Sequence, residues 1–218
     1  GEKVKAEKAV PIELPLDKNI ITKQGECGDY DYTVPFEIVP DEINSNGYKF
    51  IINKNGNNAL TASAQKINTG SKDSKIALLC ASLVGDKDAE FVINGREVKV
   101  KVNSCFERFA RWDLYDFGET AYIKKGKIAY EATHCHKNGN DEIAKSMYFY
   151  IVEFDVPKNS TVILPNDSDI VILAACSLHD GKATLAAPVY DEIRNNRPFT
   201  FKMSKKEKAE YILGKCVW

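Results

Sequence analysis

The sequence predicts an all-β protein, a jelly-roll-like β-sandwich built as one large unit or as two related halves in tandem, with a short C-terminal helix. Three observations carry this. About a dozen short β-prone runs succeed one another, each bounded by turn residues. Asn-Gly pairs of the kind that close tight hairpins fall between them. No amphipathic helical period intervenes until the last stretch of the chain.

In chain order, residues 1–10 are Lys, Glu, Ala and Val after an initial Gly and read as a linking or tag-derived segment, because Pro11 and Pro15 bar a helix from continuing. Strands are predicted over 32–39, 48–53, 59–67, 76–84, 89–93, 98–102, 120–123, 128–134, 147–156, 161–164, 170–177 and 183–187. Asn55-Gly56, Asn94-Gly95 and Asn138-Gly139 suit turns with positive φ. The pair Asn94-Gly95, set between Phe91-Val-Ile93 and Val98-Lys-Val100, predicts a β-hairpin. Only 202–213, after Pro198, has a helical pattern. Residues 11–104 read as a first sandwich half, 105–190 as a second and 191–218 as a tail carrying the short helix.

The two halves share a feature. Ile76-Ala-Leu-Leu-Cys-Ala-Ser82 followed by Asp86-Lys-Asp-Ala-Glu-Phe91 is matched by Ile170-Val-Ile-Leu-Ala-Ala-Cys176 followed by Asp180-Gly-Lys-Ala-Thr-Leu185. The match suggests related halves, with chance similarity of β-rich sequence as the plainer alternative, and two copies are too few for a solenoid. The continuous apolar character of both runs predicts central strands buried on both faces.

A chain of 218 residues that is 44% hydrophobic and 28% charged has the composition of a globular domain and excludes a disordered one. Its formal net charge of −1, with no extended basic run, argues against nucleic acid as a partner. The longest apolar runs fall well short of the ~18–20 residues of a membrane span, so no membrane partner is expected. Opening at Gly1 with no apolar leader suits a processed piece of something longer. The six cysteines, Cys27, Cys80, Cys105, Cys135, Cys176 and Cys216, form no CxxC pair and no small-domain framework. Free thiols are therefore expected, favouring a reducing, cytoplasmic compartment. An extracellular one would require a leader already removed.

No GxSxG elbow, phosphate-binding glycine loop or HExxH motif occurs, and no carboxylate pair is localised, so the chain by itself does not read as an enzyme. Two constellations remain. Thr133-His-Cys-His136 places His134 and His136 on one strand face, as some zinc or copper sites begin, with Glu131, Cys135 or Asp141 as further ligands only by loop geometry. Cys135 points to the opposite face. The plainer reading, which we adopt, is a pair that packs or hydrogen-bonds at a strand end, with no metal. The second is Arg111-Trp-Asp-Leu-Tyr-Asp-Phe-Gly-Glu-Thr-Ala-Tyr122. Trp112, Asp113, Tyr115, Asp116, Glu119 and Tyr122 supply aromatic faces beside carboxylates, the mixture that sugar recognition needs, although such aromatics more often anchor a core or an interface.

An ordered set of motifs adds a family. Glu13-Leu-Pro-Leu-Asp, Gly28-Asp-Tyr-Asp-Tyr, Phe36-Glu-Ile-Val-Pro, Asn46-Gly-Tyr-Lys-Phe, Asn58-Ala-Leu and Ile76-Ala-Leu-Leu-Cys-Ala come first. Arg111-Trp-Asp, Ala121-Tyr-Ile-Lys-Lys, Ile128-Ala-Tyr-Glu-Ala-Thr-His-Cys-His, Gly139-Asn-Asp, Tyr148-Phe-Tyr, Asp155-Val-Pro, Val162-Ile-Leu-Pro-Asn and Ile172-Leu-Ala-Ala follow. Over residues 12–185 this succession resembles the C-terminal β-sandwich region of bacterial glycoside hydrolase family 38-type α-mannosidases. In that pattern Arg usually stands between the two histidines where this chain has Cys135, and the stretch after Asp113 is longer. The resemblance implies an accessory β-sandwich region that packs on a catalytic domain outside this chain. The zinc ion and the Asp nucleophile belong to that domain, so no catalytic residue and no cofactor is carried over. It also implies contact with mannose-containing glycans. An independent carbohydrate-binding module and a purely structural scaffold are the alternatives.

Overall fold

The structure, a computed structural model, describes residues 9–107, 110–113, 120–123 and 125–179, with the backbone alone for 110–113 and 120–123. All of them belong to one compact unit, Lys5–Lys182. The other unit, Gly1–Val4 with Ala183–Trp218, is not among them, so the strand expected at 183–187 and the helix expected at 202–213 lie outside the described residues.

The described residues are all-β, with no helix among them and hence none long and apolar enough to cross a membrane. In order the strands are β1 (Ala9–Ile12), β2 (Ile21–Thr22), β3 (Tyr32–Pro35), β4 (Glu42–Ser45), β5 (Tyr48–Ile51), β6 (Leu60–Ser63), β7 (Lys66–Asn68), β8 (Asp73–Ser82) and β9 (Lys87–Ile93). They continue as β10 (Arg96–Val102), β11 (Ala110–Asp113), β12 (Thr120–Ile123), β13 (Lys127–Ala132), β14 (Cys135–Lys137), β15 (Asn140–Glu142), β16 (Met147–Asp155), β17 (Thr161–Ile163) and β18 (Asn166–His179).

A central sheet runs β1-β18-β8-β16-β13, with β6 also paired to β18. It is covered on both faces, because β8 alternates apolar side chains to each side. Ile76, Leu78 and Cys80 enter one core with Phe91, Val162 and Ile67 from the sheet β10-β9-β17-β7. Ala77, Leu79 and Ala81 enter a second core with Ile21, Val34, Ile43, Phe50 and Cys135 from the sheets β15-β14-β3-β2 and β4-β5. A fully buried Leu or Ile contributes about 1.5–3 kcal/mol relative to exposure, so these two-sided strands hold the unit together. The two continuous apolar runs thus pair with each other, β8 against β18, as two-sided central strands.

β18 keeps this up over 14 residues by means of a bulge. Its register against β8 shifts between Ile172 and Ala174. Before the shift Ile170 and Ile172 face the first core, and after it Ala175 does, while Leu173 and Ala174 both face the second. The same place is where its other edge changes partner, from β6 to β1. β1 is an edge strand, which is why it can include Pro11.

Turn chemistry matches the sequence at two of the three Asn-Gly pairs read there; at Asn55-Gly56 only Gly56 has a positive φ, 61°, in a bend that closes no hairpin. Asn94 and Gly95 have φ of 49° and 81° and close the β9–β10 hairpin in a register pairing Arg96 with Ile93. Asn138 and Gly139, at 51° and 77°, close β14 onto β15. Asn46-Gly47 closes β4 onto β5 in the same way. The single strand expected over 59–67 is instead two, broken at Ala64, whose φ is 59°. A buried amide fixes the start of β2: Asn58 Oδ1 accepts from the amides of Ile20 (2.7 Å) and Ile21 (2.9 Å).

Candidate functional site

The β14–β15 hairpin gathers the histidines. Its two-residue turn sets His136 directly across from Asp141, and β14 also pairs with β3 through His136 and Thr33. His136 is 1% exposed. Its Nδ1 lies 3.2 Å from Thr22 Oγ1, which in turn lies 2.6 Å from Thr33 Oγ1, so the ring is held from behind by two buried threonines. Its Nε2 lies 3.2 Å from Asp141 Oδ1 and 3.9 Å from Glu37 Oε2. His134 Nε2 comes within 3.9 Å of the same Asp141 oxygen.

Glu37 arrives from the turn that follows β3, where the Gln24 amide donates to its Oε1 at 3.3 Å. Desolvation works to raise its carboxyl, but the amides of Glu37 and Gln24 and then the imidazoles of His136 and His134 hold it below its ordinary value. The backbone behind the site is tied as well: Gly25 N donates to Gly139 O at 2.8 Å, and Phe36 N to Thr22 O at 2.9 Å.

Cys135 points away, as its place between the histidines implies. It is buried in the second core, its Sγ donates to the Lys145 carbonyl at 3.0 Å, and burial pushes its thiol up to about 12. It is therefore a protonated core residue and not a thiolate ligand. Glu131, exposed on β13, is not in the group, whereas Asp141 is. The Asp141 position can be counted outward from Asn138-Gly139 once a two-residue turn is assumed. Glu37 carries no such signal.

Of the six residues expected to meet sugar, Trp112, Asp113 and Tyr122 fall in a two-stranded ribbon, β11 against β12. Trp112 is opposite Ala121, Asp113 opposite Thr120 and Arg111 opposite Tyr122. The ribbon pairs with no other described strand. Tyr115, Asp116 and Glu119 lie outside the described residues. Just before this segment, a cavity of about 510 Å³ is lined by Asp29, Tyr30, Asp31, Tyr32, Phe106 and Lys145. The Tyr32 and Phe106 rings meet edge-on at 5.4 Å, and the Lys145 ammonium sits 3.8 Å from the first centroid and 4.1 Å from the second. Sequence reading passed over this group because its members are far apart in the chain. A larger groove of about 700 Å³ opens at the β18 bulge, lined by Ile12, Leu14 and Leu173 together with the polar Glu13, Asn53 and Asn57.

Among protein families, residues 6–181 match one described as the AziU2-like beta-sandwich domain. No curated protein matches the chain.

Proposed function

The chain belongs to the AziU2-like β-sandwich domain family over residues 6–181, and from that premise we propose that it is a non-catalytic binding module. In its finer form the proposal is an accessory region of a glycoside hydrolase family 38-like α-mannosidase, packed on a catalytic domain outside the chain and contacting mannose-containing glycans. The observation that carries it is the cavity where the rings of Tyr30, Tyr32 and Phe106 stand beside the Asp29 and Asp31 carboxylates. Pyranose C–H faces stack on rings while hydroxyls need carboxylate or amide partners, so this is the chemistry a neutral sugar requires. The β11–β12 ribbon, which carries Trp112, Asp113 and Tyr122, follows Phe106 in the chain and is the second segment proposed to meet sugar. Any zinc-dependent glycosidic step belongs to the partner domain.

A shallow site of this kind gains only a few kcal/mol after hydroxyl desolvation, which sets dissociation constants near ~0.1–1 mM. Mannobiose titrated against Trp fluorescence should saturate on that scale and lose its response in Trp112→Ala, while an aryl α-mannoside should stay unhydrolysed. Turnover of that substrate, surviving removal of contaminants, would overturn the non-catalytic reading, and a flat titration would overturn the glycan one.

A further inference from the structure

We propose that His134, His136 and Asp141, with Glu37 as a fourth ligand, form a binding site for a borderline divalent transition ion of the zinc class. One ring nitrogen of each histidine and an Asp141 oxygen all lie within 4.8 Å of one another. Ligand atoms on a tetrahedral zinc stand about 3.3–3.5 Å apart, given bonds of about 2.0–2.2 Å, so the three groups need to draw together by about 1.5 Å at most. Two imidazole nitrogens and two carboxylates are a donor set that suits such ions and is poorly matched to calcium or magnesium, which take oxygen ligands.

If His136 donates its Nδ1 proton to Thr22, its Nε2 lone pair faces the carboxylates of Asp141 and Glu37 at 3.2 and 3.9 Å, with nothing to offset acceptor against acceptor. If the proton sits on Nε2 it serves Asp141, and an imidazolium protonated on both nitrogens makes a plain charge pair with the carboxylates. A cation satisfies all four groups at once.

The Thr22–Thr33 pair behind Nδ1 is then the outer hydrogen-bonding support that metal-bound histidines require, fixing tautomer and ring plane. The site is anchored by the buried His136 and completed by residues at the surface. The Asp141 side chain is 44% exposed and that of Glu37 is 52% exposed, so an ion can enter without opening the core.

Equilibrium dialysis of the metal-stripped chain against Zn(II) at neutral pH, followed by metal analysis, tests this. The wild type should take up one ion per chain, and Asp141→Asn and His134→Gln should each weaken uptake at least about tenfold. Both positions are on the solvent side, and thermal melts serve as the folding control. Thr22→Val, which touches no metal, should weaken binding by roughly 10–100-fold through loss of the support behind Nδ1. His179→Gln should bind as the wild type, because His179 faces Asp73 at 3.1 Å elsewhere in the unit. Co(II) should give a visible absorption that changes in Asp141→Asn. No uptake by the wild type, or uptake unchanged in both Asp141→Asn and His134→Gln, would overturn the proposal.

Discussion

Glu153 on β16 accepts a hydrogen bond from the Tyr48 hydroxyl at 2.7 Å and another from Lys127 Nζ, tying β16 to β5 and β13. Desolvation works to raise its carboxyl, but the bonds from Lys127 and Tyr48 win and hold it below its usual 4.5. The folded chain therefore binds this proton less readily than the unfolded one, so the contribution is present above pH ~4.5 and is lost as pH falls through the folded value. Glu37 and Glu42, also held low, act in the same direction. Thermal melts between pH 6 and pH 3 should show stability falling below about pH 4.5, with a shallower fall in Glu153→Gln. An equal pH slope in the two proteins would contradict this account. Conversely, the hydroxyl of Tyr48 is pushed well above its usual range by burial and by Glu153. At this scale the sequence was legible where a residue's neighbours in the chain decide its setting. Cys135 between two strand-face histidines had to point inward, and Cys80 and Cys176 in apolar runs had to be buried. The five described cysteines are free, and Cys216 lies outside the described residues. Glu37 could not be read, because it comes to His136 only through the packing of β3 on β14.

Turn chemistry decides most of the elements. Asn94-Gly95 and Asn138-Gly139 could be read directly because each needs two successive residues at positive φ, which Asn and Gly tolerate at low cost. Gly139 has a second reason to lack a side chain: a Cβ there would meet the Gly25 carbonyl carbon at 2.9 Å. Gly139→Ala should therefore destabilise the unit by roughly 1–3 kcal/mol in urea unfolding, because both the backbone angle and the contact resist it. A change within a few tenths of a kcal/mol would contradict the hairpin geometry. β14 and β15 themselves were not legible: three residues each, with the sequence Cys-His-Lys and Asn-Asp-Glu, they have no apolar alternation and exist because β3 pairs alongside. β2 is two residues paired parallel to β3, again a purely tertiary product. β1 begins at Ala9, inside the stretch read as a linker, and carries Pro11 in a position only an edge strand allows.

At the scale of the whole unit, the sandwich class followed from the succession of short strands. The two-sided burial of β8 and β18 followed from their unbroken apolar runs, since a strand with one wet face would alternate. What the sequence did not carry is which strands neighbour which: β18 holds β8 on one edge and β6 then β1 on the other, and the bulge at Leu173 that permits the exchange has no local signature. Both candidate surfaces rest on that frame and share β3, whose Thr33 pairs with His136 while Tyr32, paired with Lys137, lines the cavity with Phe106. The proposed binding of a neutral sugar to this sandwich is open to direct measurement. The most direct measurement is an amide chemical-shift titration of the 15N-labelled chain with mannobiose to several millimolar. Saturable shifts are expected at residues 29–32, at Phe106 and at 110–113 and 120–123, with the amides of β8 and β18 unmoved. The absence of shifts at saturating sugar, or shifts spread evenly over the central sheet, would contradict it.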